Sequence, residues 1–246
     1  MSAGTLTVPR RADSIFADGL RMMREKFAIY AAFAAICAFA AWLALPRIDM
    51  YDVLARRPAA LVTTPPVSVA LLLSVAALFF VLPCAVRRIR PTFTMTTWRA
   101  AVTLVTIVVV ATATELGYAF AVVPGIVAAV LLSQALIGAL VTAPERPRSA
   151  DVRGTIARAA RASVRLTRAH FVTTLGVVAL SLLILLVPFM LALLGLAIFG
   201  VTAPPSLVLT TPLLFMTFVY FECVRYALIV RWYAKLSAEE HPASST

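Results

Sequence analysis

The stretch FVTTLGVVALSLLILLVPFMLALLGLAIFG, Phe171 to Gly200, contains no charged side chain. A helix rises about 1.5 Å per residue and the hydrocarbon core of a bilayer is about 30 Å thick, so this stretch is long enough to cross one. It is apolar all the way round, as a membrane span is. Directly before it stands the cationic run Ser163-Val-Arg-Leu-Thr-Arg-Ala-His170. The abrupt change from charge to hydrocarbon is how a span begins at a membrane surface.

Working outward, five more apolar runs emerge, giving six predicted spans. They cover about 27–45, 67–86, 100–122, 125–142, 171 to between 191 and 200, and 207–230. The whole chain has this character: 62% of its 246 residues are hydrophobic, only 13% are charged, and mean hydropathy is +0.95. Its formal net charge of +11 would suit a nucleic-acid partner. The cations lie between the apolar runs, however, so no nucleic acid is expected. Nineteen Lys and Arg fall before span one, after spans two and four, and at the end of span six. Only three, Arg47, Arg56 and Arg57, fall on the alternate links. This positive-inside pattern predicts an even span count, cytoplasmic N- and C-termini and, for a bacterial chain, the inner membrane. No small-residue cleavage site follows the first apolar run, which reads as a retained span.

Three regions are expected: an N-terminal cytoplasmic segment over 1–26, a six-helix membrane domain over 27–234, and a disordered tail over 235–246. Two stretches read as interfacial helices. Ser14 stands before a short helix in which Phe16, Leu20, Met23 and Phe27 share a face. Between 150 and 170, Val152, Ile156, Ala160, Ser163, Val164 and Thr167 form a small or apolar stripe. Arg158, Arg161, Arg165 and Arg168 lie nearly opposite, about 140° away. This amphipathic helix is expected on the inner surface, with its arginines against anionic lipid headgroups. The link around Pro144 to Arg148 reads as a hinge.

The chemistry-bearing inventory is sparse. There are two histidines, two lysines, one glutamine and no asparagine. No HExxH, GxSxG, phosphate-loop or paired-carboxylate motif appears, so neither an enzyme nor a bound cofactor is expected. Cys37, Cys84 and Cys223 show no metal-binding spacing and read as packing residues. Glu115, Tyr118, Glu222 and Arg225 fall at membrane depth, where an ionised group normally faces protein or water. Glu222 and Arg225, three residues apart on one helix, are placed to pair. Arg99, at the inner start of span three, stands within reach of Glu222. Pro124-Gly125 is expected to form the turn between spans three and four, and Pro188 to kink span five.

The order Glu115-Leu-Gly-Tyr-Ala-Phe-Ala-Val-Val-Pro-Gly-Ile126, an apolar span, Ser163-Val-Arg-Leu-Thr167, and a closing Tyr220-Phe-Glu-Cys-Val-Arg-Tyr226 resembles the YciC-like family of bacterial inner-membrane proteins. It is also similar to the membrane domain attached to some glycerophosphodiester phosphodiesterases. The likeness covers about 100–233; the link 143–149 departs from it in being rich in Pro and Arg. It implies a six-helix inner-membrane protein and supplies no catalytic residue. Three functions fit the residues. The first is a structural or accessory protein that associates with lipid, a larger membrane complex or further copies of itself. The second is a transporter or lipid-handling protein with a polar site at Glu115, Glu222 and Arg225. The third is a membrane-anchoring regulatory module.

Overall fold

The computed structural model describes residues 14–44, 65–143, 152–198 and 204–240, and over these the chain is all helix and connection. The helices are α1 Ile15–Glu25, α2 Phe27–Ala44, α3 Pro65–Arg87, α4 Thr97–Phe120, α5 Val122–Leu132, α6 Ala135–Thr142, α7 Val152–Ala169, α8 Phe171–Ile198 and α9 Pro204–Glu240. Among the described residues, four stretches are long and apolar enough to cross a membrane: Thr97–Thr114, Val122–Thr142, Phe171–Pro188 and Thr211–Glu239. A fifth arises if α1 and α2, bent by 78°, count together. In α3 the apolar stretch Ala76–Arg87 is shorter.

The apolar helices turn their large side chains outward. On α8, Val172, Leu183, Met190 and Leu191 are exposed, as are Phe39 and Trp42 on α2. In water such surface would drive aggregation; a span covers it with lipid. Hydroxyls inside these helices bond within their own helix. Thr103 donates to the Arg99 carbonyl, Thr106 to that of Val102 and Ser181 to that of Val178. Each of these three hydroxyls thus has its partner in its own helix, as an apolar span requires.

The contacts divide the chain into two compact units. One comprises Leu82–Leu182 with Tyr226–Thr246, and the other Phe16–Val81 with Leu183–Arg225. In the first, α4, α6 and α7 close on a core of Val102, Ala139, Ala143 and Ala159, with Trp98 and Ile156 against it. Three of those four core residues are alanines, so the helices approach closely. In the second, α1 packs on α9 at Gly19. A Cβ there would run into the Val224 side chain and stand 3.0 Å from its Cα and N. Phe33 of α2 meets Phe80 of α3 at 6.0 Å between ring centroids.

Several sequence expectations need correction. The fourth span is interrupted at Ser133-Gln134 into α5 and α6. The turn between the third and fourth spans falls at Ala121, whose φ of −173° and ψ of 163° are extended. Pro124 and Gly125 lie in the first turn of α5 instead, where a missing N–H costs no helical bond. Gly117 and Gly125 let α4 and α5 touch: a Cβ at Gly117 would stand 2.9 Å from the Gly125 Cα. The disordered tail expected from 235 is helical through Glu240, because α9 is tied at its end. Glu239 pairs with His170 at 3.3 Å and with Lys235 at 3.9 Å, and Trp232 Nε1 donates to Thr174 Oγ1 at 3.2 Å. Pro188 lies inside α8, as the sequence placed it. The hinge expected at 144–148 lies outside the described residues.

Candidate functional site

Helix α9 holds the polar pair that the sequence singled out. Arg225 Nε donates to Glu222 Oε2 at 2.9 Å, with the side chains 18% and 10% exposed. The spacing makes the pair: residues i and i+3 stand on one helical face. Cys223 and Val224 between them are buried. Withdrawn charges that neutralise each other locally are far less costly than a lone ion in an apolar bundle. Glu115 and Tyr118 belong to α4, but their side chains lie outside the described residues.

A second carboxylate lies across the α1–α9 contact. Asp18 is buried, within 4.0 Å of Arg21 Nη1, and its neighbour Gly19 is the residue pressed on Val224. Two acids and two arginines thus flank the place where these helices touch, the acids withdrawn and Arg21 half exposed.

The arginines of α7 occupy one exposed face, as expected: Arg158, Arg161, Arg165 and Arg168 are all exposed. Arg158 Nη2 donates to Thr155 Oγ1 at 3.3 Å and Arg161 Nε to the Ala157 carbonyl at 3.2 Å. These two partners are neutral groups on the same helix.

The other face of α7 corrects the interfacial expectation. It is covered by protein. The buried residues are Thr155, Ala159, Ser163, Leu166 and Thr167, a face rotated by about 60° from the predicted stripe. Ser163 Oγ donates to the Leu131 carbonyl at 2.6 Å, and Thr167 Oγ1 approaches the same oxygen at 3.4 Å. Leu131 lies in the last turn of α5, before the break at Ser133-Gln134, and a helix end leaves carbonyls short of helical partners. The Ser163 hydroxyl meets the Leu131 oxygen, while Thr167 Oγ1 makes its shorter bond, 2.8 Å, to the Ser163 carbonyl of its own helix. The motif is thus a dock between helices, with Arg165 pointing away.

The sequence set Arg99 within reach of Glu222, but the carboxylate is held by Arg225 and the hydrogen bonds described for the Arg99 guanidinium go to main chain. Arg99 is 2% exposed and clamps main chain: Nε donates to the Ala143 carbonyl at 3.0 Å and Nη1 to that of Thr94 at 2.7 Å. Its guanidinium lies over the Phe93 ring, 4.8 Å from the centroid. Arg90 makes the parallel bond to the Val141 carbonyl at 2.9 Å. Two arginines, one in the α3–α4 connection and one at the start of α4, therefore tie this region to the end of α6. Gln134, at the break, is fully buried, and its Oε1 has no protein partner.

Among the described residues, no group of three or more His, Cys, Asp or Glu could hold a metal. No family model, no curated protein and no solved structure matches this chain.

Proposed function

We propose that this chain is a multi-pass accessory protein of the bacterial inner membrane, of the YciC-like kind. It would have six spans (α2, α3, α4, α5 with α6, α8 and α9) and both termini in the cytoplasm. It would associate with lipid or a larger membrane assembly rather than carry a solute. The Glu222–Arg225 pair is the observation that carries this reading. A transport site needs polar groups offered to a passenger; here the two withdrawn charges are spent on each other at 2.9 Å. Arg99 and Arg90 are likewise engaged with main-chain carbonyls. The exposed arginine row of α7 supports a contact with anionic headgroups at the inner face, worth about 1 kcal/mol per residue near the surface.

A double-mutant cycle tests it. Glu222→Gln and Arg225→Gln should each lower stability in lipid nanodiscs by about 3 kcal/mol, and the double variant should recover most of the loss. Singles that leave stability unchanged would remove the structural role and restore the transport reading. A reporter fused near Arg56 should lie on the outer side; a cytoplasmic signal would break the six-span topology.

A further inference from the structure

Helix α1 divides its surface three ways. Asp18, Gly19 and Met22 are buried. Phe16 and Leu20 are 48% and 43% exposed, and Met23 shares their face. Arg21, Arg24 and Glu25 are exposed on the third side. At 100° per residue the centres of these three sectors lie about 120° apart. A helix in water beside a protein needs two sectors, one apolar and one polar. A third, exposed and built from Phe and Leu, calls for an apolar medium that is not the protein.

We infer that α1 lies in the plane of the membrane as a fixed collar, its Phe16–Leu20–Met23 face sunk into the boundary between headgroups and acyl chains. The occupant of that face is the bilayer itself. Three observations select it. The 78° bend at Lys26 turns α1 nearly perpendicular to α2, so a spanning α2 lays α1 along the surface. The apolar sector is continuous with lipid-facing surface: Phe27, at the bend, is 55% exposed, and α2 continues with Phe39 and Trp42 exposed. The cations Arg21 and Arg24 stand on the sector opposed to both protein and acyl chains, at the level of headgroup phosphates. Gly19 makes the collar fixed. Its missing side chain lets α1 close on Val224, between Glu222 and Arg225, so the helix is pinned to α9 and cannot swing as a tether.

This inference rests on the membrane-spanning reading, and one experiment separates the two. The full-length protein is reconstituted in phosphatidylethanolamine–phosphatidylglycerol vesicles. An environment-sensitive fluorophore is placed on single cysteines introduced as Phe16→Cys, Leu20→Cys, Arg24→Cys or, on α8, Leu183→Cys. The native cysteines are buried, so maleimide reaches the introduced one. Labels at 16 and 20 should be quenched several-fold more by acyl-chain nitroxide than by iodide, and the label at 24 the reverse. Quenching of the Leu20 label by iodide alone would put α1 in water, and quenching by neither would put a protein on that face. Either result, with the Leu183 label still quenched by nitroxide, overturns the collar alone. Loss of nitroxide quenching at Leu183 overturns the membrane reading and the collar with it.

Discussion

Helices α1 and α7 carry the same kind of pattern, an apolar or small stripe set apart from a row of cations, and they resolve it in opposite ways. In α1 the large residues Phe16 and Leu20 face out and the small Gly19 faces in. In α7 the face that turns in is Thr155, Ala159, Ser163, Leu166 and Thr167, and the arginine row stays outside. Amphipathic spacing therefore fixes which residues share a face, not what that face meets. Size and hydrogen-bonding capacity decide the rest. A face of Ala159, Ser163 and Thr167 allows close approach and offers hydroxyls to a neighbouring main chain, so it suits protein. A face of Phe and Leu offers area without polar groups, so it suits lipid.

The contrast can be broken at the residues that hold each helix. The largest expected effect on folding is at the α1 contact. Gly19→Leu cannot close on Val224 and should lower stability by up to about 3 kcal/mol. Thermal unfolding in detergent measures this, and an unchanged midpoint would mean that α1 is not pinned. A smaller loss, about 2 kcal/mol, is expected for Ser163→Ala with Thr167→Val, which remove the hydroxyl donated to the Leu131 carbonyl and the one donated to the Ser163 carbonyl. Ser163→Ala should account for most of it, since its bond to the Leu131 carbonyl is 2.6 Å against 3.4 Å for Thr167. Equal losses from the two single variants would refute that division. The smallest effect belongs to the arginine face. Changing Arg158, Arg161, Arg165 and Arg168 to Gln should alter unfolding in neutral detergent by no more than about 0.5 kcal/mol. The same variant should lose the stabilisation that phosphatidylglycerol gives the parent protein on titration. A stabilisation retained in full would exclude that face as the headgroup contact.

Much of this was legible in the residues. The charge-free run from Phe171 places α8, and the three-residue spacing of Glu222 and Arg225 gives their bond. The break at Ser133-Gln134 was hidden because apolar residues continue on both sides, and a helix interruption leaves no mark on hydropathy. The elbow was assigned to Pro124-Gly125 because those residues usually make turns. Extended backbone at Ala121 needs no special side chain, and Pro124 is equally at home in a first helical turn. Arg99 sits within an inner cluster of cations, where nothing in composition separates a clamp on main chain from a solvated charge. The role of Ser163 and Thr167 depends on a carbonyl more than thirty positions earlier, beyond any local pattern. Glu239 was read as part of a loose tail because its partner His170 is equally remote.

The dock at Leu131 has a consequence for how this sequence can drift. Its acceptor is a peptide oxygen, which every amino acid at position 131 would supply. Replacement there leaves the bond's chemistry intact, while the Ser163 hydroxyl opposite bears the constraint. What the arrangement does not tolerate is a change of phase. One residue inserted into α7 before Ser163 turns its hydroxyl about 100° away from the oxygen it meets, so substitutions on the acceptor side pass where a single insertion in the donor helix does not.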